Sequence, residues 1–171
     1  MRTRILVDAS PLIYLAKLDA LECFAGGGWE PLLTPAVVAE VASPAVAYRY
    51  PDALTISRAL ASGVLVTVEL TADERTHAAG LAGSINGLGR GESEALAIAS
   101  SRGHGVVIFE RQGVRVARAL GVVPVNPAEV LFRGSGDRDL LRRRLIRFAD
   151  MTAMRASDID ALLARIDRRT E

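Results

Sequence analysis

Apolar residues along this chain follow two alternating rhythms. Short unbroken runs occur at residues 5–7, more weakly at 31–33, and again at 64–68, 106–109 and 122–125, as expected of strands buried on both faces. Between them, residues 11–21, 35–42, 52–61, 72–82, 92–102 and 112–120 carry apolar positions at three- and four-residue spacing, which predicts helices with one buried face. Strands alternating with helices predict an α/β fold, three α/β/α layers around a mostly parallel five-stranded sheet. After residue 125 the strand rhythm stops, and helices are expected at 127–132, 139–154 and 157–167, separated by Gly134-Ser135-Gly136 and by Ala156-Ser157. The expected organisation is an α/β domain over 1–132 with a helical extension over 133–171 packed on that same domain.

Local signals sharpen the boundaries. Ser10 followed by Pro11 reads as an N-cap and first helical residue, so the strand that ends near Asp8 turns abruptly into a helix. Ser157 with Asp160 three residues on resembles a capping box. The glycine clusters at 26–28 and 83–91 read as loops, and neither forms a P-loop or a dinucleotide-binding glycine motif, so no nucleotide cofactor is implied.

Composition narrows the chemistry. A half-apolar chain of 171 residues suits one domain with a sizeable core. The single cysteine, Cys23, excludes an internal disulfide and a cysteine-based zinc cluster and fits a reducing compartment. With only His77 and His104 beside it, any metal has to be held by oxygen, which favours Mg²⁺ or Mn²⁺. Arg2 and Arg4 precede an apolar run as in a signal peptide, but Asp8 and Lys17 interrupt it, and no run reaches the length of a bilayer span. A cytoplasmic protein is expected. Net charge is +1, yet nine arginines between Arg111 and Arg147 face only Glu129, Asp137 and Asp139. That imbalance suits a polyanionic partner; it is equally what a solvated helix face looks like in a chain whose one lysine is Lys17.

The carboxylates are placed more tellingly than the cations. Asp8 and Glu110 follow apolar runs, Glu92 and Glu94 open the helix after Gly89-Arg90-Gly91, and Glu40 lies among Val37, Val38 and Val41. In a parallel sheet, strand ends and the helix starts that follow them share one edge, where ligands bind. Taken singly, Asp8 could serve its turn, Glu40 a solvated face, Glu92 and Glu94 a helix dipole, and Glu110 the start of a helix. Together at one rim they would repel one another unless a divalent cation compensated them.

Four motifs then fall in order: Val7-Asp8-Ala9-Ser10-Pro11-Leu12-Ile13, Thr34-Pro35-Ala36-Val37-Val38-Ala39-Glu40-Val41, Gly91-Glu92-Ser93-Glu94-Ala95, and Arg115-Val116-Ala117-Arg118-Ala119-Leu120-Gly121-Val122. This series resembles the PIN domain family, closest to its prokaryotic VapC-like branch, over roughly the first 130 residues. The resemblance implies a Mg²⁺- or Mn²⁺-dependent endoribonuclease in which Asp8, Glu40 and Glu92 match the first three acids and Ser10 the small hydroxyl residue beside the first. Glu94 is then a neighbour or auxiliary ligand. Phe109-Glu110 stands where an Asp-Asp pair is common, with Glu110 aligned to the second acid and Phe109 read as core packing. The resemblance further implies a homodimeric toxin silenced by a small antitoxin protein.

In this reading Asp8, Glu40, Glu92 and Glu110 are the catalytic and metal-binding acids, and Arg111, Arg115 and Arg118 are candidates for guiding the RNA backbone. The altered fourth acid supports an alternative from another class, a catalytically degenerate PIN-like module that binds RNA or a protein partner. A receiver-type fold is disfavoured, since it needs a lysine after its last strand and none follows Lys17.

Overall fold

The computed structural model describes residues 2–84 and 87–168. In chain order the elements are β1 (Thr3–Val7), α1 (Ala9–Lys17), α2 (Cys23–Gly26), β2 (Trp29–Leu33), α3 (Pro35–Ala42), α4 (Pro44–Arg49), α5 (Pro51–Ala61) and β3 (Val66–Thr67). They continue with α6 (Ala72–Ser84), α7 (Arg90–Arg102), β4 (Gly105–Val107), α8 (Arg111–Ala119), β5 (Pro124–Val125), α9 (Pro127–Gly134), α10 (Arg138–Met151) and α11 (Ala156–Arg168).

The five strands make one sheet in the order β3-β2-β1-β4-β5, with every pairing parallel. Central β1 sets Leu6 beside Leu32 on one side and Val106 on the other. Side chains alternate across the sheet. Ile5, Val7 and Leu33 join Leu12, Val37, Ile56 and Leu131 in one core, while Leu6, Leu32 and Val106 join Leu96, Ile98 and Ile108 in the other. Helices therefore cover both faces, completing the three-layer α/β fold. Leu141, Leu145, Phe148 and Ile166 of α10 and α11 enter the first core beside Val7, so those helices share the core of the sheet. Among the described residues no helix is long and apolar enough to cross a membrane.

The expected strands at 64–68 and 122–125 shrink to two residues each, because β3 and β5 are edges with one neighbour to pair with. Helix α1 starts at Ala9 with Asp8 as its N-cap residue, which corrects the expectation of Ser10 as cap and Pro11 as first residue. Pro11 still sits where its missing N–H has no helical acceptor to serve. Helices α2 and α4 are additional. Gly26 and Gly134, read as loop residues, instead end α2 and α9, where the two backbones meet so closely that a Cβ at Gly134 would collide with the Cys23 backbone. Ser157 is no cap either, since Ala156 already opens α11 and the Asp158 and Ile159 N–H groups donate to the Arg155 carbonyl. The region read as a loop at 83–91 narrows: α6 runs to Ser84, α7 starts at Arg90, and residues 85 and 86 lie outside the described residues, as do residues 169–171 of the expected helical extension.

Candidate metal and nucleic-acid site

The centre of the sheet supplies the first carboxylate. Asp8 leaves β1 with its N–H still donating to the Val107 carbonyl of β4 at 3.0 Å, and its side chain is 4% exposed. Burial, then the nearby charge of Glu92, and less strongly that of Glu40, push its carboxyl up to about 7, against the opposing pull of the Ala9 and Ser10 backbone N–H groups. A group so placed is shared between its protonated and ionised forms near neutrality, and positive charge would favour the ionised one.

Glu92 comes from the opposite layer, in the first turn of α7. Its Oε2 accepts the Gly89 N–H at 3.2 Å, half of a capping box whose other half Gly89 has no side chain to make. Its Oε1 is buried with no hydrogen-bond partner among the described residues. Burial raises its pKa, partly offset by the Gly89 N–H, and the charges of Glu110 and Glu40 raise it further. Glu110, the N-cap residue of α8, and Glu40, in the second turn of α3, are exposed and approach from the two flanks. Asp8, Glu40, Glu92 and Glu110 are thus linked by mutual repulsion at the C-terminal edge of the sheet.

Glu94 does something different. Its Oε2 accepts the Ala36 N–H at 3.0 Å and its Oε1 pairs with Arg90 Nε at 3.1 Å. It ties α7 to the first turn of α3, the helix that carries Glu40. Ser10 faces Asp8 through its backbone N–H, and its hydroxyl makes no hydrogen bond among the described residues. Arg111, Arg115 and Arg118 lie at i, i+4 and i+7 on one exposed face of α8, and none of the ion pairs among the described residues involves them.

Two glycines shape the site: Gly91, which opens the motif that carries Glu92, and Gly113 of α8, which the sequence reading did not single out. A Cβ on Gly113 of α8 would collide with Glu92 Oε1 and with Ile108 Cδ1, and one on Gly91 would sit 3.0 Å from Val37 Cγ2 and 3.6 Å from Glu40 Oε2. For Gly113 the available signal was a glycine inside the first turn of an otherwise amphipathic helix, which usually marks close packing.

An all-oxygen donor set with one buried, unpartnered carboxylate oxygen fits a hard divalent cation. As the side chains stand, no group of three or more His, Cys, Asp or Glu among the described residues is close enough to share one ion.

A family model described as a PIN domain matches residues 4–145. No curated protein matches the chain.

Proposed function

The chain belongs to the PIN domain family, a family of nucleases that typically use Mg²⁺, and from that premise we propose that it is a metal-dependent endoribonuclease hydrolysing phosphodiester bonds in single-stranded or loop RNA. The observation that carries this reading is the mutual repulsion of Asp8, Glu40, Glu92 and Glu110 at one sheet edge, with Glu92 Oε1 buried and unpartnered.

Those four carboxylates would hold the ion, with Asp8 and Glu92 as its fixed wall and Glu40 and Glu110 as the movable one. When bound, Mg²⁺ or Mn²⁺ supplies Lewis-acid activation of water and neutralises charge at the scissile phosphate. Asp8 must surrender its proton to join the set, so cation binding is coupled to pH. Glu94 keeps α3 in register with α7 and thereby sets the reach of Glu40. Arg111, Arg115 and Arg118 run down α8 from Glu110 and bind backbone phosphates of the approaching strand. In the cell we read the protein as a cytoplasmic, homodimeric toxin silenced by a small antitoxin that offers an arginine to the carboxylates.

The second reading, a degenerate module that binds RNA or protein without cutting, draws support from the exposed Glu110 and from the open spacing of the four acids. Cleavage of a labelled RNA with and without Mn²⁺, paired with Mn²⁺ calorimetry, separates the two. Nuclease action requires Asp8→Asn and Glu92→Gln each to lose more than about 100-fold in rate, with Glu110→Gln falling less. Cleavage undiminished in Asp8→Asn or in excess EDTA would sink the nuclease, and RNA binding with no Mn²⁺ uptake would establish the module.

A further inference from the structure

Gly113 is the third residue of α8, where the backbone gives no reason for a glycine. Its φ lies outside the left-handed region, and inside a helix glycine is less favourable than alanine. What excludes a side chain is space. A Cβ at this position would collide with Glu92 Oε1 and with Ile108 Cδ1, and would stand 3.0 Å from Ile108 Cγ1. One turn on, Ala117 lies on the same face of α8 and is buried with its methyl group. Close packing of this helix therefore tolerates alanine, and glycine is confined to the turn that meets Glu92.

Glu92 is held from its own side as well. Helix α7 fixes its backbone in the first turn, the Gly89 N–H binds Oε2 at 3.2 Å, and Oε1 is buried with no hydrogen-bond partner among the described residues. A buried oxygen without a partner is costly, yet the chain sets a bare Cα beside it in place of a donor. We propose that Gly113 is a positioning residue for the cation site: the side chain it lacks leaves room for Glu92 Oε1 to stand where it does, free of any donor and available to Mg²⁺ or Mn²⁺. Glu110 caps the same helix three residues earlier, so one turn of α8 supplies both a carboxylate and the gap that another carboxylate fills. This role rests on the metal-dependent reading of the carboxylate edge and names the residue that fixes its third acid. Both atoms that a Cβ would strike are ends of side chains, so a methyl group here displaces Glu92 and Ile108 before it displaces backbone.

The test is Mn²⁺ calorimetry on the full chain, with thermal melting in EDTA beside it. Gly113→Ala is expected to weaken Mn²⁺ binding about tenfold or more. Glu92→Asp, one methylene shorter, weakens binding by itself, but adding Gly113→Ala to it is expected to cost no further affinity, because the shortened side chain stands clear of the new methyl group. Ile108→Val removes the other atom that is struck, and is expected to recover any melting temperature lost in Gly113→Ala without recovering Mn²⁺ affinity. Wild-type affinity in Gly113→Ala overturns the role. So does a loss that Ile108→Val restores, or one undiminished beside Glu92→Asp, since either makes Gly113 a packing residue alone. If Glu92→Asp binds no Mn²⁺, the Ile108→Val comparison decides. If Gly113→Ala does not fold, the comparison is made with Ile108→Val present throughout, and failure to fold there also overturns the role. Wild-type protein that takes up no Mn²⁺ removes the metal-dependent reading itself, a result distinct from all of these.

Discussion

Asp8 shows how much one buried carboxylate can set. Its carboxyl sits near 7 in the folded chain against an ordinary 3.8, so the folded state binds that proton more tightly than the unfolded one. Its contribution to stability is full below about pH 4 and is lost as pH rises toward 7, by an amount on the order of 3 kcal/mol. In EDTA, the stability difference between wild type and Asp8→Asn should therefore fall by that order between pH 4 and pH 7, with Mn²⁺ reversing the fall at neutral pH. A difference that is flat with pH contradicts the burial of an ionisable Asp8. At this scale the sequence places Asp8, Glu92 and Glu110 at strand ends and helix starts, which are readable from pattern, whereas Glu40 lies within α3 and is singled out only by the family resemblance. It does not separate the roles of Glu92 and Glu94. Two residues apart on α7 they point in opposed directions, one toward α8 and the other toward α3, and only the neighbours contributed by those helices distinguish them.

At the scale of elements, the strongest device joins α6 to α7. Thr71 and Glu74 form a reciprocal capping box, with the Thr71 N–H donating to Glu74 Oε2 at 2.8 Å and the Glu74 N–H to Thr71 Oγ1 at 3.2 Å. The same carboxylate takes Arg102 Nε and Nη2 at 2.7 Å each and the Ser101 hydroxyl at 2.6 Å. Arg102 is the main reason its pKa lies far below the usual range, with Ser101 and the Thr71 N–H adding to the pull and burial opposing it. That stabilisation is present above about pH 4.5 and is lost as pH falls. Glu74→Gln should lower unfolding free energy in urea by about 3 kcal/mol at pH 7, the low end for a broken buried pair because Arg102 keeps partial contact with water, and the gap should narrow in acid. An unchanged urea midpoint at pH 7 would show the network to be idle. The Thr-x-x-Glu half of this device is a sequence signature; the Arg102 half, 28 residues away, is not. Helices α2 and α4 escaped the pattern for a different reason: four and six residues carry too few turns for a period to register.

For the whole molecule, the question is what fastens the C-terminal helices. Apolar contact of Leu141, Leu145 and Phe148 supplies area, and buried Arg144 of α10 supplies position. Its guanidinium donates to the Leu18 and Asp19 carbonyls, lies 3.5 Å from Cys23 Sγ and pairs with Glu22 at 2.7 Å. It thereby holds the turn in which Asp19 adopts a left-handed φ of 48°. Arg144→Met keeps the apolar stem but leaves those carbonyls without the guanidinium, and should lower stability by about 3 kcal/mol. Thermal unfolding checks this, and a melting point within error of wild type would assign the fastening to apolar packing alone. By itself the sequence determined the alternation of strands with the longer helices, the mostly parallel sheet and the edge where Asp8, Glu92 and Glu110 end, because those follow from local periodicity and chain direction. Only the tertiary structure decided that Glu92 Oε1 is buried without a partner, that Glu94 is bound to Ala36 and Arg90, that Gly113 makes room beside Glu92, and that Tyr48 and Tyr50 stand clear of the core. Burial and partnership belong to residues brought together from distant parts of the chain, and no local pattern records them.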